Sequence, residues 1–205
     1  MVWDVVQFFL GAPEFKKRLY SSVLAPPGKL LDFGCANGHV ADAFRGFEYY
    51  GLDVDSEAIK KAAQVYKARS NMHFLCADIR SYPFPEDYFD EVLFAGTVHH
   101  LTDKLFTEAL IGLHRSLRPG GVIHIIDPVR QPSDRPAAKF LRWVDRGRHC
   151  RTLSQIETVV QSTRKFELGT PSLHQPYGAL LRDCDFVHLP IRKLRDTGSK
   201  TSHTQ

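Results

Sequence analysis

Three aspartates and one glycine-rich run carry most of the chemistry this chain can do. Asp32 lies in an apolar segment that leads straight into Gly34-Cys35-Ala36-Asn37-Gly38, Asp53 follows 21 residues after Asp32, and Asp78 comes just after a third apolar segment. That interval suits an acid that accepts hydrogen bonds from ribose hydroxyls at the carboxyl end of a strand. A charged hydrogen bond of this kind contributes roughly 1.5–3 kcal/mol. Asp53 is read in that role, Asp78 as reaching an adenine amino group, and Ile79 as packing on the ring. A dinucleotide is a poor fit. The fingerprint G-x-G-x-x-G needs glycines where this chain has Ala36 and His39, which hinders a close backbone approach to pyrophosphate. His99 and His100 follow a fourth apolar segment. His99 is either a general base near neutral pH or a ring that caps the next helix or fills a pocket wall.

These residues need a scaffold, and the hydropathy pattern supplies one. Short apolar runs at 28–33, 49–54, 72–76, 89–95 and 122–126 read as strands. Between them, 39–45, a segment from a Ser56 N-cap to about Arg69, and 103–117 read as helices, the last stopped by Arg118-Pro119-Gly120-Gly121. This alternation predicts a mostly parallel sheet with helices on both faces. Val5 to Val23 is amphipathic and reads as an N-terminal helical extension. Beyond Asp127 the pattern weakens: 135–145 and 154–163 read as helical and 186–191 as a late strand. The expected organisation is one domain over 1–193, divided into an N-terminal helix or lid (1–27), a core (28–127) and a substrate-side segment (128–193). A flexible tail follows at 194–205.

Four motifs occur in order at suitable spacing: LLDFGCANG at 30–38, GLDVD at 51–55, CADIR at 76–80 with the following PFPEDYFDEVLFAGTVHHL, and LHRSLRPGGVIHIIDP at 113–128. Together they resemble the class I S-adenosylmethionine-dependent methyltransferases over roughly half of the chain. The resemblance implies a Rossmann-like, seven-stranded sheet and S-adenosylmethionine as cofactor. It also implies cofactor contacts at Asp32, Gly34, Cys35, Ala36, Gly38, Asp53, Val54, Asp78, Ile79 and Ala95, with His99 on the acceptor side. One departure stands out, because Ala36 occupies the place of the motif's middle glycine. Its methyl group narrows the approach to the cofactor, and a positive φ there would cost on the order of 1 kcal/mol.

Charge and composition narrow the partners. Residues 1–127 hold 13 Lys/Arg and 16 Asp/Glu, whereas residues 128–205 hold 14 and 7, a net of −3 against +7. The basic half, with Arg130, Arg142, Trp143, Arg146 and Arg148, suits an anionic or aromatic small-molecule acceptor or forms a solvated face. Trp143 and Phe140 are read as packed against the sheet, and Trp3, Phe8, Phe9 and Phe15 as core or lid. The fourth strand ends in Phe94-Ala95-Gly96-Thr97 rather than the Asn/Asp-Pro-Pro-aromatic run of amino-methylating nucleic-acid enzymes. A nucleic-acid substrate is therefore an alternative reading, as is a cofactor-binding protein without turnover. Cys35, Cys76, Cys150 and Cys184 lie far apart, which points to reduced thiols in a cytoplasmic protein and to no metal site. No apolar run reaches the 18–20 residues of a membrane helix, and Asp4 interrupts the apolar N-terminus, which reads poorly as a signal peptide. Oligomeric state is left open.

Overall fold

The computed structural model describes residues 12–80, 82–132, 134, 148–175 and 185–194. The 135–145 helix with Phe140, Arg142 and Trp143, as well as Arg146, Trp3, Phe8, Phe9, Cys184 and nearly all of the expected tail, lies outside the described residues. An N-terminal helix α1 (Ala12–Val23) precedes β1 (Lys29–Phe33), and a 3₁₀ turn at Ala41–Phe44 leads to β2 (Glu48–Asp53). Helix α2 (Ser56–Val65), β3 (Met72–Cys76), β4 (Phe89–Ala95) and a second 3₁₀ turn at Val98–His100 follow. Then come α3 (Asp103–Ser116), β5 (Leu117–Pro128), α4 (Leu153–Ser162), β6 (Phe166–Leu168), β7 (Ser172–His174) and β8 (Phe186–Lys193).

All eight strands join one sheet in the order β3-β2-β1-β4-β5-β8-β6, with β7 also on β8. β1 to β5 are parallel and β8 runs antiparallel to β5. The seven-strand expectation becomes eight because two short pieces, β6 and β7, pair successive stretches of β8 along one edge. Strand order reverses between β1 and β4. Ligands of doubly wound sheets bind at the carboxyl ends of the strands flanking such a switch point.

Apolar residues pack on both faces of the sheet. On one, α3 buries Phe106, Ala109, Leu110 and Leu113, and α4 buries Ile156 and Val160. On the other, Leu19 and Tyr20 of α1 meet Ala41, Phe44 and Tyr49. Several boundaries differ from the sequence reading. The 39–45 segment, with Gly38 before it, winds only as a 3₁₀ turn. The cap of α2 is Asp55, not Ser56: its Oδ1 accepts from the amides of Glu57 (2.9 Å) and Ala58 (3.1 Å), so Ser56 is already helical. α2 ends at Val65 rather than near Arg69, and β5 extends through 118–121, where Gly120 takes a φ of 81°.

One polar pair lies inside the antiparallel seam. His124 Nδ1 of β5 lies 3.0 Å from His188 Nε2 of β8, and His124 Nε2 lies 3.6 Å from Glu91 Oε2. Burial, reinforced by His188, pushes the His124 ring down to about 3. Burial and nearby His174 push His188 down to about 4. Both rings are therefore neutral when folded but titrate near 6.5 when unfolded. The unfolded chain binds more protons below that value, so this pair withdraws stability as pH falls from about 6.5 toward 4. The thermal midpoint of His188→Gln is expected to fall less between pH 6.5 and 4.5 than that of the native protein. Parallel pH profiles from calorimetry would show that the pair is not the acid-sensitive element.

Candidate functional site

The turn after β1 is built on hydrogen bonds from the strand beside it. The amides of Gly34 and Cys35 both donate to Leu52 O of β2, at 2.8 and 3.2 Å. Gly34 has a φ of 84°, and a side chain there would collide with Thr97 Oγ1, so glycine is required by both conformation and space. Ala36 takes a φ of 47°, the left-handed geometry anticipated for it. Its amide donates to Asp53 Oδ2 at 2.9 Å, while Asp53 Oδ1 accepts from Asp55 N at 2.9 Å. One carboxylate thus joins the turn after β1 to the turn after β2.

Beside this junction lies a cavity of about 250 Å³. Its floor is the end of β1 with Gly34, one wall is Asp53 and Val54, and another runs from Ala77 to Arg80. Thr97 and Leu101, on either side of the 3₁₀ turn after β4, and Leu105 of α3 close it. Five expected site residues meet here: Gly34, Asp53, Val54, Asp78 and Ile79. Val54 is 71% exposed and Ile79 2%, so one apolar side chain stands out at the wall and the other belongs to the core. Asp78 differs from expectation, because its carboxylate is clamped by the Arg80 guanidinium. That hydrogen-bonded pairing holds Asp78 below the ordinary carboxylate range, and Arg80 also reaches Glu108 at 3.2 Å. An adenine amino group would have to share Asp78 with an ion pair set by the chain itself.

The remaining expected residues do not line this cavity. Asp32 is buried beneath the turn, where it accepts from the Tyr49 hydroxyl at 2.7 Å. Burial raises it to about 7 against the opposing Tyr49 bond, with neighbouring Asp53 raising it further. The Cys35 side chain is buried, and burial pushes its thiol far up, so only the backbone of Cys35 belongs to the turn's outer side. Gly38 supports the turn from below, accepting from the Tyr66 hydroxyl at 3.0 Å where a Cβ would press on Phe74. Ala95 packs in the core, and the wall position falls to Thr97, whose hydroxyl donates to Ala95 O at 3.1 Å.

His99 is buried, with its Nδ1 3.0 Å from Asp127 Oδ1 at the end of β5. Asp127 escaped the sequence reading because an acid at a strand end has no local signature; only the β4–β5 register brings it beside the turn after β4. The turn bearing His99 is secured by Arg151. All five guanidinium N–H groups are used: Nε and Nη2 donate to Asp103 Oδ1, Nη1 to Val98 O and His149 O, and Nη2 to Leu101 O, at 2.6–3.0 Å. His149 N in turn donates to His99 O at 2.9 Å.

An acid-bearing, apolar-walled cavity at the switch point of a mostly parallel sheet defines a Rossmann-like fold with its candidate ligand site in the usual place. The methyltransferase domain model matches residues 31–125. An uncharacterised methyltransferase of Geobacillus kaustophilus is 32% identical over 113 residues, 54% of this chain and 52% of that protein. The fatty-acid O-methyltransferase of Mycolicibacterium smegmatis is 33% identical over 112 residues, covering 51% and 40%. The match thus spans about half the length of the first of these relatives and less of the second. Among solved structures, the 1,6-didemethyltoxoflavin-N1-methyltransferase of Burkholderia thailandensis superposes with a TM-score of 0.71 at 16% identity, over 93% of this chain and 81% of that one. Over residues 31–125, just under half of its length, the chain is thus similar to methyltransferase domains, and its fold is that of solved methyltransferases. Among the described residues no group of three His, Cys, Asp or Glu could hold a metal ion, and no helix is long and apolar enough to cross a membrane.

The left-handed alanine yields a direct test. Ala36→Gly should remove a conformational cost on the order of 1 kcal/mol. For a chain of this size that corresponds to a rise in melting temperature of about 2–4 °C. A fall in the melting temperature would mean that the Ala36 methyl group contributes packing that outweighs the strain.

Proposed function

We propose that this protein transfers a methyl group from S-adenosylmethionine to a small-molecule acceptor. The observation that carries the reading is the junction at Asp53, a carboxylate on the wall of an apolar cavity at the switch point. The donor set fits a nucleoside. Asp53 holds the ribose hydroxyls, Val54 and Ile79 bracket the base, and Leu101 and Leu105 keep water away from it. Asp32 and the Gly34–Ala36 turn lie toward the amino-acid end, where a cationic group would favour the ionised form of the buried Asp32. S-adenosylmethionine supplies, when bound, a methyl carbon already made electrophilic by its sulfonium. The protein's contribution is therefore mainly placement, which supplies roughly 7–11 kcal/mol in favourable cases.

Where the acceptor must lose a proton, His99 is the base. Asp127 accepts from His99 Nδ1–H, which sets the tautomer in which Nε2 is the basic nitrogen. The imidazolium so formed is stabilised by the same carboxylate. The methyltransferase relatives named above, one of them acting on fatty acids by O-methylation, support an acceptor of small-molecule type.

Two measurements test this reading. Asp53→Ala should weaken S-adenosylhomocysteine binding at least tenfold, about 1.4 kcal/mol, by calorimetry. Unchanged affinity would remove the cofactor site from this cavity. With an acceptor found by screening phenols, amines and carboxylates, His99→Asn and Asp127→Asn should each lower kcat by 10²-fold or more at nearly constant cofactor affinity. A rise confined to the acceptor's KM would make His99 a wall of the pocket rather than a base.

A further inference from the structure

Arg151 and its neighbours form more than a brace. The strap 148–151 and Arg130, together with Gln155 and Thr158 of α4, enclose a second cavity of about 350 Å³. Its cations are unevenly compensated. Among the described residues of its wall the one carboxylate, Asp103, is taken by Arg151. Arg130 and Arg148 are exposed, and neither has an ion pair with a described carboxylate. Arg130 is nonetheless held in place: its Nη2 donates to Gln155 Oε1 at 3.0 Å, and Gln155 is itself fixed by accepting from Thr152 N at the cap of α4. One guanidinium is thus pre-set, and a second lines the same hollow.

Another cavity, lined in part by Arg80 and Lys193, makes a useful contrast. At about 630 Å³ it also holds basic side chains, but three carboxylates share its wall, and there Arg80 pairs with Glu108 and Lys193 with Asp87. The Arg130–Arg148 hollow has, among its described lining residues, no carboxylate that pairs with either guanidinium. It is also coupled to the reaction centre, because the strap forming its wall donates from His149 N to His99 O and accepts at Arg151 O from Arg130 N.

We propose that this cavity binds an anionic group of the methyl acceptor, a carboxylate or a phosphate, through Arg130 and Arg148. The acceptor assignment rests on the methyltransferase reading, but anion binding can be measured without it. A planar guanidinium presents paired donors that match two oxygens of either anion, and a second one opposite fixes orientation. The acceptor would then be held by its charged end beside the His99 turn, with its reactive atom directed to the methyl group.

The test begins with inorganic phosphate and acetate as probes, each compared with chloride at constant pH and ionic strength. Phosphate or acetate should raise the melting temperature of the native protein, and the better probe identifies the anion class. Arg130→Gln/Arg148→Gln should weaken that binding at least tenfold while calorimetry shows S-adenosylhomocysteine bound as before. Equal melting temperatures in all three salts would overturn the proposal, as would an anion effect that survives in the double variant. Tight, steeply salt-dependent binding of an RNA oligonucleotide lost in the same variant would overturn it in favour of a nucleic-acid backbone. Loss of S-adenosylhomocysteine binding in the native protein would instead refute the methyltransferase reading and leave the anion result standing.

Discussion

The carboxylate of Asp53 holds two loops in one position, and the candidate site depends on that junction. One oxygen accepts from Ala36 N and the other from Asp55 N. Through the first, it stabilises a left-handed alanine that would otherwise relax toward the extended region. Through the second, it places the aspartate that caps α2. A ligand diol that donates hydrogen bonds to Asp53 therefore meets an acceptor whose direction is already fixed by two amides. Little reorganisation is needed on binding, which is how a single half-buried acid can give useful affinity.

Titratable groups elsewhere pull against each other. The His124–His188 pair is neutral in the fold and loses stability toward acid. Asp32, raised to about 7 by burial, acts oppositely: its contribution is fullest below the ordinary aspartate range and is lost as pH rises through its folded value. The first pair belongs to the β5–β8 seam and the second group to the base of the glycine turn. Mild acid thus loosens the far part of the sheet while relieving strain beneath the site.

Most of the core was legible from sequence because parallel strands at its centre are short apolar runs between helical periods. β3 and β4 fell at the expected residues, 72–76 and 89–95. Legibility failed where tertiary pairing overrides local preference. Arg118-Pro119-Gly120-Gly121 reads as a stop, yet it lies within β5 as a bulge, with pairing to β4 at Leu117 before it and at Val122 after it. The Asp53 wall, Val54, Ile79 and Gly34 were readable because they follow strands in fixed order. Asp127, Thr97 and the Arg80 clamp on Asp78 were not, since each depends on contacts between segments or on a rotamer. Cys35 and Asp32 show the converse: a motif places them correctly along the chain but cannot say which side of the turn their side chains occupy.

Arg151 has a consequence for how this region can vary. Three of its four acceptor atoms are main-chain carbonyls, those of Val98, Leu101 and His149, and only Asp103 contributes a side chain. Carbonyls persist whatever residue bears them, so the sequence of the turn can drift while its anchorage survives. The converse change is closed off. Lysine offers three donors from a single point and cannot reach four acceptors spread over a plane. Tolerance to mutation is thereby one-sided here, broad around the histidine turn and narrow at the arginine that fastens it.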